Sequence, residues 1–157
     1  MLQEGFRSGV LNRLVALGRD DAARHLAAEL SARTSKELER GNRAQAPQSL
    51  FIRAEIILGH RDAAVAALEQ SRREIQLMQN NHQRRLAEAN RANLYALLGQ
   101  ADEAIEVLRE YMASGLQFPI SLRYHFDFAL IRSDPRFQEL MRQQEAWAKA
   151  QPDPVDL

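Results

Sequence analysis

The four histidines, His25, His60, His82 and His125, are the side chains best suited to move a proton or hold a metal near neutral pH. Their spacing favours neither use. No two sit four residues apart as on a zinc-protease helix, and the chain has no cysteine to complete a structural zinc site or to supply a thiolate. The acidic pairs Asp20–Asp21 and Asp102–Glu103 fall where helices are expected to start, and capping accounts for them there. No phosphate loop, dinucleotide fingerprint or nucleophile elbow is present. Gly5 and Gly9 have the spacing of a membrane dimer motif but lie in the polar stretch "QEGFRSGVLNR". No enzyme activity, cofactor or metal is therefore expected. Arg72, Arg73, Arg84 and Arg85 flank "EIQLMQNNHQ" and could gather a phosphate. With 21 basic against 21 acidic residues, and Glu69, Glu74 and Glu88 close by, ion pairing is the expected use and nucleic acid is not an expected partner.

The elements that carry these residues follow from an internal repeat. "LVALGRDDAARHL" from Leu14, "EIILGHRDAAVAAL" from Glu55 and "ALLGQADEAIEVL" from Ala96 share a glycine, an Asp three residues later and small residues after it. The glycines, Gly18, Gly59 and Gly99, are 41 and 40 residues apart. A glycine can end a helix in a left-handed conformation, and an acid at the next helix start can accept free amide hydrogens and suit the dipole. Ala22, Ala23, Ala63, Ala64 and Ala104 would let a second helix approach the first. Helical apolar spacing follows in each copy, as at Ala23, Leu26, Ala27 and Leu30. The pattern predicts an all-α chain of three helical hairpins, about 3–40, 47–79 and 82–114. In these, helices at 3–17, 47–58 and 82–98 pair with helices at 20–40, 61–79 and 101–114. "GNRAQAPQ" and "QNNHQ" read as surface connections. One long coiled coil is excluded, because the glycines, Pro47 and Pro119 interrupt the heptads.

These residues resemble the tetratricopeptide repeat family, in which a glycine ends the first helix and "DEA" opens the second; "GQADEAIEVL" carries the likeness best. The period exceeds the family's usual repeat of about 34. Arg7, Gln48 and Glu88 stand where the family has a large aromatic. The tail "FDFALIRSDPRFQELMRQQEAW" resembles the closing segment of tetratricopeptide regions in bacterial nucleotide cyclases, kinases and transcription regulators. The resemblance implies a single domain, an α-α superhelix of three hairpins closed by a two-helix cap at about 119–150, with a flexible tail at 151–157. Within the cap, Ser133 or Asp134 can cap the last helix, Pro135 suits its first turn, and Phe137, Leu140 and Met141 form its apolar stripe.

The resemblance also implies a groove lined by the first helices. Six residues before each glycine, a groove-facing place in the family, stand Asn12, Arg53 and Asn93, with Ser49 and Asn90 one turn earlier. An Asn can bond a peptide backbone on both sides and an Arg can hold a carboxylate through two bonds, so the row could read an extended acidic peptide. The same residues could equally form a solvated helix face. Aromatic residues crowd the last third of the chain. The cap would bury them, or Tyr124 and Trp147 would stay exposed and anchor a second copy or another partner. The expected function is a protein- or peptide-binding module of a bacterial regulatory or signalling protein; the alternative is a self-association scaffold that forms a homodimer. A cytoplasmic location is expected, since the start does not read as a secretory signal and no apolar run approaches the roughly 20 residues of a membrane span.

Overall fold

All three repeat glycines end a helix through the same hydrogen bonds. The computed structural model describes the backbone of residues 2–42, 44–116, 118 and 120–150. In it Gly59 has φ 83°; its N–H donates to the Ile56 carbonyl at 3.1 Å and the His60 N–H donates to the Glu55 carbonyl at 2.9 Å. This pair of bonds is the Schellman motif, and the positive φ it needs strains any residue with a Cβ. Gly18 (to Val15, with Arg19 to Leu14) and Gly99 (to Ala96, with Gln100 to Tyr95) repeat it.

The helices so delimited are α1 (Leu2–Ala16), α2 (Asp20–Glu39), α3 (Gln45–Leu58), α4 (Arg61–Gln76), α5 (Asn81–Leu97) and α6 (Ala101–Ala113), with α7 (Pro135–Ala150) following later. All regular structure among the described residues is helical. The helix α4 stops three residues short of the expected end because Asn80 is spent as the cap of α5: its Oδ1 accepts from the Gln83 N–H at 3.0 Å. The repeat's acids do not cap as expected. The residues at the cap positions are Arg19, His60 and Gln100, and none makes a side-chain capping bond. Asp21, Asp62 and Asp102 lie inside the first turn, where what they offer is charge opposite the helix dipole.

The chain divides into two compact units, Met1–Asn90 and Arg91–Leu157. In the first unit α2 packs on α3, α3 on α4, and α1 on both α2 and α3. Leu11, Ala23, Ala27, Leu30, Leu50 and Ala54 form its buried cluster, with Leu14, Val15, Leu26 and Ile57 packed around them. The alanines sit where side-chain size limits how closely helices approach. Ala23 and Ala64 are buried while Ala22 and Ala63 are exposed, so each small-residue pair turns one member inward.

In the second unit α6 buries Ala104, Ile105, Val107 and Leu108 and packs on α7. The segment expected to be the cap's first helix is instead two short 3-10 segments, Ile120–Tyr124 and Phe126–Phe128, parted by His125 in extended conformation. Its N–H groups reach back three residues, His125 to Leu122, Phe128 to His125 and Ile131 to Phe128. Leu122, Phe128 and Ile131 point inward at multiples of three, which a three-residue turn satisfies and a 3.6-residue turn would rotate away. Phe128 stacks on Phe137 of α7 at 5.2 Å, and Phe118 on Tyr111 of α6 at 4.5 Å. Two further bonds fasten this stretch to α7: the Phe118 N–H donates to Gln144 Oε1 at 3.3 Å, and Arg123 pairs with Glu145 at 2.6 Å. The start of α7 is as expected: Asp134 Oδ1 accepts from the Arg136 N–H at 2.8 Å, and Pro135 occupies the first turn. Pro119, the tail 151–157 and the Arg7 side chain lie outside the described residues.

Candidate functional site

In the first unit, residues 41 apart meet. Arg53 Nη1 on α3 donates to Asn12 Oδ1 on α1 at 3.2 Å, and Asn90 Nδ2 on α5 donates to Ser49 Oγ on α3 at 2.5 Å. Asn12 and Arg53 each lie six residues before their glycine and so bond at matching places of successive copies, whereas Ser49 and Asn90 lie ten and nine residues before theirs, one residue out of register. Four of the five residues expected to line a groove are thus brought together in two pairs along one polar seam. Asn93, the fifth, is half-buried on α5 and belongs to the second unit.

Burial separates their roles. Arg53 is only 6% exposed and its charge is held among neighbours, whereas Asn12, Ser49 and Asn90 are half-buried and keep contact with solvent. A buried guanidinium fixes the carbonyl end of Asn12 and leaves the Asn12 amide group to offer hydrogens elsewhere. In the second pair Asn90 donates one amide hydrogen to Ser49, which has further partners of its own, and the second Asn90 amide hydrogen is directed away from that bond. The seam therefore presents ordered donors at half-exposed positions. Such groups can bond backbone carbonyls or carboxylates of an extended chain.

Two buried polar contacts beside the seam were not foreseen. Glu55, also 6% exposed, accepts from Ser31 Oγ of α2 at 2.5 Å and lies 3.0 Å from His60 Nδ1. It stands four residues before Gly59, where the other copies have Leu14 and Tyr95, and a charged residue at an apolar place of a repeat is the signal that could have found it. Gln48, at a place where the resembled family has an aromatic ring, is buried and donates to Glu74 of α4. Both contacts tie α3 to a neighbouring helix.

Among the described residues, one of the ion pairs expected around the connection between α4 and α5 is present. Arg72 pairs with Glu69 at 3.7 Å, Arg84 donates to Asn81, and Arg72, Arg73, Arg84 and Arg85 are all exposed. His25 faces Glu29 at 3.4 Å and His125 faces Asp127 at 3.5 Å. Among the described residues no group of His, Asp and Glu could hold a metal ion, and no helix is long and apolar enough to cross a membrane. In the second unit Tyr124 is 74% exposed and Trp147 43% exposed, in contrast to the buried rings of Phe118, Phe128 and Phe137.

Marked pKa shifts accompany ion pairs at the start of α7 and along its first turns. Side-chain and backbone hydrogen bonds from Arg136 hold the Asp134 carboxyl at about 2, and Asp134 and then Asp102 raise Arg136. Arg142, and after it Gln143, lower Glu139. These are acids stabilised as anions at a helix start, a pattern that serves folding. No family model, curated protein or solved structure matches the chain.

Proposed function

We propose that the chain is a protein- or peptide-binding module of the tetratricopeptide-like kind, of the sort used by bacterial regulatory and signalling proteins, and that it binds rather than catalyses. The observation that carries this reading is the pair of bonds that joins successive copies, Arg53 to Asn12 and Asn90 to Ser49. They order the half-exposed amide donors of Asn12 and Asn90, and an extended peptide is a ligand whose repeating carbonyls such donors fit. Peptides selected by display against the whole chain test it. Their affinity should fall about 5- to 10-fold in Asn12→Ala or Asn90→Ala, the worth of one neutral hydrogen bond. Selected peptides that bind both variants as tightly as the original chain would remove the seam from the proposal.

A second reading is self-association. The exposed Tyr124, Leu130 and Trp147 of the second unit favour it, since large apolar side chains left in water are common at interfaces. Light scattering at two widely separated concentrations decides it. A mass that stays at one chain removes it.

A further inference from the structure

The first 3-10 segment packs on α7, and a cavity of about 270 Å³ opens beside their contact, wholly within the second unit. Its floor is apolar: Phe137 and Met141, one turn apart on the same face of α7, are both buried. Its rim is basic, with Arg123 beside Tyr124, Arg132 from the turn before α7, and Arg142 from α7 itself. No carboxylate lines it among the described residues. Two of the guanidinium groups already have acidic partners, Arg123 with Glu145 and Arg142 with Glu139, each at 2.6 Å. Arg132 differs: its Nη2 donates to the His125 carbonyl at 3.0 Å, and among the described residues its guanidinium has no carboxylate partner.

An apolar floor below an arginine that lacks a carboxylate has a defined complement. A cavity of this size is below the usual range for small-molecule sites and suits a single side chain. We propose that it receives one apolar side chain from an extended acidic segment of a partner protein, with a neighbouring Asp or Glu of that segment paired to Arg132. The fork of Arg132 suits a carboxylate through two parallel bonds. Tyr124, lying over Arg123 with its ring 5.9 Å from the guanidinium carbon, offers an exposed flat wall against which the segment can pack. Arg123 and Arg142 keep their own acids, so the charge that draws such a segment in is that of Arg132. The site is independent of the seam in the first unit, so either can fail alone.

Fluorescence anisotropy with the whole chain tests this with three labelled short peptides: one of Gly and Asp with a central Phe, one with Ala replacing the Phe, and one with Asn replacing every Asp. The first should bind and each of the others should bind at least about 10-fold more weakly. Arg132→Gln should reduce binding of the first peptide by about 10- to 100-fold, the range expected for a charge-assisted pair, and Tyr124→Ala should reduce it less. Arg132 is exposed, so its variant should keep the circular dichroism of the original chain. The proposal is overturned if the first peptide binds more weakly than about 1 mM, if the Ala peptide binds equally well, or if Arg132→Gln has no effect. Displacement of the peptide by inorganic phosphate at equal concentration would mean that only an anion is recognised. Loss of a dimer in Tyr124→Ala, with no peptide binding, would assign the face to a second copy. Either result overturns it.

Discussion

Truncating Asn12 to Ala tests how firmly the seam is built. The change removes the oxygen that accepts from Arg53 Nη1 at 3.2 Å, while the guanidinium stays nine-tenths buried and must find a substitute. A hydrogen bond to a charged group contributes about 1.5–3 kcal/mol, and stranding a buried donor puts the cost at the upper end. Two features lower it. The bond is long, and Asn12 is half-buried, so a water molecule can take the vacated place. The net expectation is a loss of about 1–1.5 kcal/mol, read as a lower urea midpoint with an unchanged m-value. Asn12→Asp preserves the shape and places a carboxylate against the same guanidinium, so it should be no less stable than the original chain. A cycle combining Asn12→Ala with Arg53→Met should return a coupling of at least about 0.5 kcal/mol. If Asn12→Ala changes stability by less than about 0.3 kcal/mol and the cycle shows no coupling, the contact is idle and the seam is not preorganised.

Other consequences are independent of the seam. Gly59→Ala places a Cβ at φ 83° with nothing within 4 Å, so its cost is conformational, a net loss of about 0.5–1.5 kcal/mol after the stiffer unfolded chain is counted. The same change at Gly9, inside α1 and also with open space around it, should stabilise by up to about 1 kcal/mol, and equal signs in urea melts would refute the turn geometry. Phe128→Ala removes a fully buried ring stacked on Phe137 and should cost about 3–5 kcal/mol, measured by thermal unfolding. Asp134 has a folded pKa of about 2 against 3.8, so its contribution is present above pH 4 and lost as pH falls towards 2. The stability gap between the original chain and Asp134→Ala should accordingly be constant above pH 5 and close below pH 3, and a gap that persists at pH 2 would contradict the assignment.

The helices were legible because the repeat marks their ends with glycines whose backbone geometry leaves little choice. Gly18, Gly59 and Gly99 make identical bonds. The candidate row was legible for the same reason, since a constant offset from those glycines selects side chains that the fold places in register, as Asn12 and Arg53 show. Three things were not legible. Whether an acid near a helix start caps it depends on a shift of one or two residues, and Asp134 caps while Asp21, Asp62 and Asp102 do not. The stretch from 120 to 134 carries both three- and four-residue apolar spacings, and only packing against α7 selects the 3-10 turns. The cavity beside Tyr124 depends on residues brought from three separate stretches, so no local pattern announces it.

The central claim, that the seam is a recognition surface, is tested most directly by mapping amide chemical shifts while a display-selected peptide is titrated into the labelled chain. The largest changes should fall in α1, α3 and the middle of α5 around Asn12, Ser49, Arg53 and Asn90. Changes confined to the second unit, or spread without reference to these residues, would contradict it.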